Sequence, residues 1–228
     1  MLSIIIPVYK NEDTLQALTD KIIQQCRNSA LSCEIVFVND GSPDDSLILI
    51  KRLMRQYNEV NLVDNPINVG QQKSIYLGLN YANGNTFAVM DADLQNDPSD
   101  LLAMYFEMKN KQYDVVFSCS YNAYQARLKM ISSYIYKGIL SILFSIPFRS
   151  TSFVVFNREA HSQVLAVKTR YFYITGFLAN CSLYKGVYKC HKQTRVQGES
   201  AYNFTKRLKV ATHYFLGLLE FKWKKRIN

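Results

Sequence analysis

A chain of 228 residues that is 48% hydrophobic and 20% charged can bury the core of one large domain, which excludes disordered, collagen-like and disulfide-scaffold classes. Its net charge of +9 is unevenly held: residues 1–114 carry 9 Lys and Arg against 15 Asp and Glu, whereas residues 115–228 carry 18 against 3. The acidic half suits work with a cation and the basic half work with anions.

The first half alternates strand and helix signals. Leu2–Val8 is a short apolar run rich in β-branched residues. Residues 13–27 show helical spacing at Leu15, Leu18, Ile22 and Ile23, and residues 34–39 form a second apolar strand. Ser42-Pro43-Asp44 predicts a helix start, with Ser42 as the cap and Pro43 in the first turn. Then come a strand at 61–64, a helix over 69–82 stopped by Asn83-Gly84, a strand at 86–90, a helix over 98–109 and a strand at 114–118. Continuous apolar strands between helices predict an α/β fold with a mostly parallel central sheet covered on both faces. The second half is less regular. It predicts an apolar helix over 127–144, strands at 152–157 and 184–191, and a long amphipathic helix over 203–225. Residues 1–228 read as a single domain with a soft division near residue 118.

The cysteines, Cys26, Cys33, Cys119, Cys181 and Cys190, are odd in number and lack a C-x-x-C pair, which argues against a disulfide framework or a zinc site and for a reducing cytoplasm. The N-terminus is too quickly charged for a signal peptide, and the longest apolar run, residues 139–148, is about half a membrane span. No nucleic-acid motif occurs, and the acidic half would repel a phosphate backbone, so no nucleic-acid partner is expected.

In an open parallel sheet, ligands bind beyond the carboxyl ends of the strands. Polar residues gather at those ends: Tyr9 to Glu12, Asp40-Gly41-Ser42, and Asp91-Ala92-Asp93-Leu94-Gln95. Neither G-x-G-x-x-G after the first strand nor G-x-x-x-x-G-K-[ST] is present, which takes the best evidence away from the dinucleotide and P-loop readings. Two carboxylates as close as Asp91 and Asp93 raise each other's pKa unless a cation offsets the repulsion. A hard divalent ion fits such a pair, and Gln95 adds a neutral oxygen. Asp40 reads either as a turn or cap residue or as an acceptor for a nucleobase N–H.

The blocks SIIIPVYKNEDTL, EIVFVNDGSPDDS, NVGQQKSIYLGLNYANGN and VMDADLQNDP resemble a GT-A glycosyltransferase of family 2. The MDADLQ-x-x-P form is similar to the branch that glycosylates polyprenyl phosphates, the dolichyl-phosphate mannose synthase-like enzymes. The resemblance implies a base held by the Pro7–Glu12 loop (Pro7, Tyr9, Glu12) and Asp40. It also implies ribose, diphosphate and Mg²⁺ or Mn²⁺ held around Asp91, Ala92 and Asp93, with Asp91, Asp93 and Gln95 as metal ligands. The donor is then a UDP, GDP or dTDP sugar, since Asp40 suits uracil, guanine and thymine alike. The loop from Arg195 through Gly198 and Ser200 to Tyr202 resembles the branch's R-x-x-G-x-S-x-Y, which closes on the donor with Arg195 at the diphosphate and Ser200 and Tyr202 assisting. The segment carrying Arg127, Lys129 and Ser133 resembles the acceptor-binding segment, and Lys129 and Ser133 share a helix face. Asp93, Arg195, Lys129 and Ser133 are the implied catalytic set. Ser120 stands where the branch often has Arg, and 150–158 lacks the branch's usual Asp-Gly and Arg.

A hydroxyl acceptor usually needs a carboxylate base, whereas a phosphate acceptor is already an anion. The only acids after Asp114 are Glu159, Glu199 and Glu220. This favours an inverting transfer to a polyprenyl phosphate. Transfer to a sugar hydroxyl of a lipid-linked oligosaccharide or other glycan is the alternative, and a non-catalytic nucleotide-sugar-binding subunit of a membrane complex is a reading of another class. Residues 203–226 place Phe204, Leu208, Ala211, Phe215, Leu218 and Leu219 on one stripe, with Lys222, Lys224, Lys225 and Arg226 beside Trp223. That composition predicts a helix in the headgroup region of a membrane surface, hence a cytoplasmic protein peripheral on the inner face. Residues 134–148 are a second segment that could dip into the interface. Oligomeric state is left open, a homo-oligomer included.

Overall fold

A computed structural model describes residues 1–120, 138, 141–147, 149–190 and 204–227. Its strands are β1 (Leu2–Val8), β2 (Cys33–Asp40), β3 (Val60–Asn65), β4 (Thr86–Val89), β5 (Val115–Ser120), β6 (Ser150–Asn157) and β7 (Lys185–Cys190). The helices, in chain order, are α1 (Glu12–Asn28), α2 (Ser46–Gln56), α3 (Gln71–Tyr81), α4 (Pro98–Asn110), α5 (Arg158–Ala166), α6 (Ile174–Asn180) and α7 (Phe204–Ile227). The strands make one sheet in the order β3-β2-β1-β4-β6-β5-β7. Neighbours are parallel except β6, which runs antiparallel to both β4 and β5. The expected α/β architecture with a mostly parallel sheet is therefore present.

The strand residues divide by parity, as the pleat requires. Ile4, Ile6, Ile35 and Phe37 join the core with Leu15, Leu18, Ile50 and Leu101 beneath α1, α2 and α4. Ile5, Val36 and Val38 face the other way, with Ile75 of α3, Phe177 of α6, and Leu218 and Phe221 of α7. Both faces are covered, which explains why these strands are continuously apolar rather than alternating. Sequence-local capping sets two helix starts. Asp97 accepts from Ser99 N–H at 2.8 Å with Pro98 in the first turn of α4, and Asn157 accepts from Ala160 N–H at 2.9 Å before α5.

The predicted start of α2 needs correction, and the last helix divides its faces between body and solvent. The helix predicted from Ser42 begins at Ser46, with Asp45 as its cap; the Ser42 hydroxyl instead accepts from Lys10 N–H at 2.7 Å and donates to Asp44. The apolar stripe of the last helix divides where its side chains are described: Leu218 is fully buried and Ala211 and Phe215 are half-buried, whereas Leu219 is exposed; Phe221, off the stripe, is fully buried with its ring stacked on Phe177 at 4.2 Å. The lysines near its end also face the body. Lys222 donates to the Leu143 carbonyl at 2.9 Å, Lys224 to that of Lys168 at 2.7 Å and Lys225 to that of Asn180 at 3.2 Å. Cations at exposed helix-end carbonyls are favourable, and Asn180 is the last residue of α6. Most of the predicted 127–144 helix lies outside the described residues; 141–144 is helical. All five cysteines are buried free thiols. Among the described residues no helix is long and apolar enough to cross a membrane.

Candidate active site

Strands β1, β2 and β4 are parallel neighbours, so their carboxyl ends lie on one edge of the sheet. That edge brings together Tyr9–Glu12, Asp40–Ser42 and the 91–95 loop. The β1 and β2 loops are stapled to each other. Asn11 N–H donates to the Ser46 hydroxyl at 3.2 Å, Glu12 N–H to Asp44 at 3.3 Å, and Asp45 N–H to the Glu12 carboxylate at 2.6 Å. Burial alone would push the Asp44 carboxyl up. Hydrogen bonds from the Ser42 and Ser46 side chains and from the Glu12 and Ser46 amides outweigh it and hold the group below the ordinary carboxylate value. Pro7 is buried in β1, while Tyr9 is exposed with the Lys10 ammonium 5.7 Å from its ring centre.

Asp40 ends β2 and is only 3% exposed. Its two oxygens accept from Val69 N–H at 2.7 Å and Gly70 N–H at 2.9 Å, which fixes the β3–α3 loop against β2. A carboxylate has about four lone-pair sites, so both oxygens retain acceptor capacity. Gly41 follows at φ +61°, and a Cβ there would lie 2.7 Å from both Asn68 N and Ile67 C. Only glycine allows that turn to sit beneath the loop.

The 91–95 loop is built from three directions. The β4–β6 register pairs Val89 with Val154, and two residues further it sets Asp91 opposite Ser152. The Ser152 hydroxyl lies 3.2 Å from each Asp91 oxygen, and Gln71 Nε2 at the start of α3 donates to Asp91 Oδ1 at 2.6 Å. Thr14 of α1 donates to the Ala92 carbonyl at 2.6 Å. Asp93 Oδ1 accepts from Gln95 N–H at 3.1 Å across Leu94, which is held at φ 58°. A branched residue in the left-handed region costs about 1–3 kcal/mol and persists only where its surroundings impose it. Buried Asn96 has no hydrogen-bond partner on either amide atom, which leaves unmet polar capacity at the foot of the loop.

Two half-buried carboxylates and an amide oxygen within five residues fit a hard cation that completes its shell with waters and substrate phosphates. They do not form an all-protein cage, and no group of three or more His, Cys, Asp or Glu suited to a metal occurs among the described residues. The predicted set Pro7, Tyr9, Glu12, Asp40, Asp91, Ala92, Asp93 and Gln95 thus converges on one edge. Arg127, Lys129, Ser133, Arg195, Gly198, Ser200 and Tyr202 lie outside the described residues. Sequence reasoning missed Gln71, Ser152, Thr14 and the Ser42–Asp44–Ser46 staple. Gln71 follows a positive-φ glycine, Gly70, at a helix start, which was a usable local signal. Ser152 reaches Asp91 only through a tertiary strand pairing.

The glycosyl transferase family 2 model matches residues 3–165. An uncharacterized glycosyltransferase of Bacillus subtilis (strain 168), YkcC, is 26% identical over 219 residues, covering 92% of this chain and 65% of the relative. The undecaprenyl-phosphate 4-deoxy-4-formamido-L-arabinose transferase of Edwardsiella ictaluri (strain 93-146) is 37% identical over 116 residues, 50% of this chain and 35% of the relative. The chain therefore spans less than two thirds of either relative. Glucosyl-3-phosphoglycerate synthase of Mycobacterium tuberculosis, crystallised with Mn²⁺, UDP and glucosyl-3-phosphoglycerate, matches in fold with a TM-score of 0.73 at 13% identity, over 97% of this chain and 79% of that one. The architecture is the GT-A fold, and the chain belongs to glycosyl transferase family 2.

Proposed function

We propose that the protein transfers a sugar, with inversion, from a nucleoside diphosphate to a polyprenyl phosphate. The observation that carries this reading is the 91–95 loop, held by Gln71, Ser152 and Thr14 beside Asp40 on the sheet edge where this fold presents ligands. Asp91, Asp93 and Gln95 would hold Mg²⁺ or Mn²⁺, which when bound offsets negative charge on the leaving diphosphate. Gln71 and Ser152 keep the Asp91 carboxylate in one orientation, and the stapled β1 and β2 loops present the base pocket without reorganisation. Glu12, engaged with Asp45 N–H, acts as a positioning residue for that pocket.

An acceptor phosphate oxygen attacks the anomeric carbon while the bond from that carbon to the diphosphate oxygen breaks, and the electron pair leaves with the nucleoside diphosphate. No proton need be removed from an ionised phosphate. The placement of the second-half acids supports this choice over a hydroxyl acceptor. Asn157 pairs with Thr86 at the amino end of β4, so Glu159, two residues on, lies at the sheet edge opposite Asp91. Glu220 accepts from Arg170 N–H at 2.8 Å and Lys224 Nζ at 2.7 Å. Glu199 lies outside the described residues, as do Arg127, Lys129 and Ser133, the acceptor residues implied by resemblance, and Arg195, implied at the diphosphate.

Peripheral attachment at the inner membrane face forms part of the proposal. Ile142 is 84% and Trp223 63% exposed, with Leu143, Leu216 and Leu219 also exposed, and the Lys222–Leu143 hydrogen bond sets the two segments side by side. Apolar side chains beside cations suit a headgroup boundary. Radiolabelled donor sugars offered with undecaprenyl phosphate, and in parallel with a lipid-linked sugar, test the reading. Label should enter undecaprenyl phosphate in a Mn²⁺-dependent reaction, and label entering only the lipid-linked sugar contradicts it.

A further inference from the structure

A cavity of about 420 Å³ opens beside the loop carrying Gln71, between the start of α3, the 167–172 segment and α7. Lys73, Lys168, Arg170 and His213 line it, and among the described residues no Asp or Glu does. Lys73, Lys168 and Arg170 are exposed, and none is ion-paired with a described carboxylate. The nearby acid Glu220 is engaged with Arg170 N–H and Lys224 Nζ.

The walls are ordered aromatic rings. Tyr171 stacks on His213 at 4.2 Å, and Tyr76 meets Phe172 edge-on at 5.2 Å. The Lys73 ammonium lies 4.8 Å from the Tyr76 ring centre and the Arg170 guanidinium 5.5 Å from that of Tyr171. Close backbone approach seats this wall: a Cβ on Gly217 of α7 would collide with the Tyr171 carbonyl. Gln71 both lines the cavity and bonds Asp91, and Gln72 accepts from Ile174 N–H at 3.0 Å, so the cavity abuts the candidate site.

We infer that this cavity docks the phosphate monoester of the acceptor, with Lys73, Lys168 and Arg170, rather than the Arg127, Lys129 and Ser133 implied by resemblance, gripping the phosphate and the rings flanking the first carbons of its chain; the inference rests on the transfer reaction proposed above. Lys73, Lys168 and Arg170 around an aromatic-walled hollow whose described lining holds no carboxylate suit a compact anion joined to an apolar chain, with the Arg170 charge shared with Glu220. An anionic phospholipid headgroup offers the same phosphate chemistry and is separated by the test.

The full chain is titrated by calorimetry with farnesyl phosphate, farnesol and inorganic phosphate, with UDP plus Mn²⁺ as a separate titration, and its sedimentation with phosphatidylglycerol vesicles is measured. Farnesyl phosphate should bind, farnesol should not, and inorganic phosphate should compete. Lys168→Glu/Arg170→Glu should weaken farnesyl phosphate at least tenfold and leave UDP binding unchanged, and Tyr171→Ala should weaken it several-fold. Equal farnesyl phosphate binding by wild type and the double variant overturns the inference, as does equal binding of farnesol. A double variant that loses only vesicle binding assigns the cations to a headgroup and also overturns it. Absent UDP binding by the wild type overturns the donor reading, whereas intact UDP binding with unchanged farnesyl phosphate binding overturns this inference alone.

Discussion

Charged side chains do opposite things in two adjoining regions of this molecule. At the carboxyl edge of β1, β2 and β4, four acids are locked into the loops: Asp40 by Val69 and Gly70, Glu12 by Asp45, Asp44 by Ser42 and Ser46, Asp91 by Gln71 and Ser152. Around the neighbouring cavity, Lys73, Lys168 and Arg170 rest on aromatic rings or in solvent without an ion pair to a described carboxylate, and only the Arg170 charge acts on a nearby acid, Glu220. The first arrangement fixes geometry before a ligand arrives. The second keeps charge available for an anion. Substitutions in the first region should therefore cost stability and donor binding together, and those in the second should cost anion binding with stability nearly untouched.

The largest effect that sharpens this contrast is expected at Asp93. Asp93→Ala should lower transfer by about 10²–10³-fold, the scale seen when one group stabilising transition-state charge is lost. Thermal melting should fall as well, because the Gln95 N–H loses its acceptor, and kinetics with saturating donor reads the loss of rate. Gly41→Ala should come next, destabilising by about 1–3 kcal/mol because the left-handed turn and its contact with the Ile67–Asn68 backbone cannot both survive. Urea unfolding reads that loss, and donor KM should rise in parallel. Asp40→Asn keeps one amide acceptor and puts an NH₂ where a backbone N–H must be accepted, so it should cost about 1–3 kcal/mol and raise donor KM several-fold.

Much of the first region was legible because its signals are local. Continuous apolar runs marked strands buried on both faces, and Asp97-Pro98 marked the start of α4. The strand-end acids declared themselves by position, since a parallel sheet gathers those ends. What they bond to was not legible. Ser152 reaches Asp91 through the antiparallel insertion of β6, and Asp40 reaches Val69 and Gly70 across 29 and 30 residues of chain. In the second region α6 escaped notice because its Ile174–Ala179 stretch is buried all round, which erases helical periodicity. α5 escaped although Asn157 caps it. The basic end of α7 has the composition of a membrane-facing helix, yet Lys222, Lys224 and Lys225 cap carbonyls of the body. Composition cannot distinguish a cation facing phosphate from one facing a carbonyl.

The smaller effects test the second region and the core beneath both. Lys168→Glu should change stability by under about 0.5 kcal/mol, as exposed substitutions do, while weakening farnesyl phosphate; a matched loss of stability would erase the contrast. His161 is buried, stacks on Phe87 at 4.0 Å and donates from Nε2 to the Leu79 carbonyl at 2.9 Å. Burial lowers its pKa, the carbonyl partly opposes this, and the nearby Arg158 charge lowers it further. The unfolded chain therefore takes up the proton first. Stability should be full above about pH 6.5 and fall as pH drops from there toward the depressed folded value, with a slope of at most about 1.4 kcal/mol per pH unit. Urea midpoints between pH 5 and 8 should show that slope, and it should vanish in His161→Gln.

The central claim is that Asp91 and Asp93 seat a divalent cation against a nucleoside diphosphate. Calorimetric titration of the full chain with UDP, GDP and dTDP, in Mn²⁺ and again in chelator, tests it most directly. At least one nucleotide should bind tightly in Mn²⁺, at least tenfold more weakly in chelator, and equally weakly in both media once Asp91 and Asp93 are replaced by Ala. Binding that is the same with Mn²⁺ and chelator, and survives both replacements, contradicts the account.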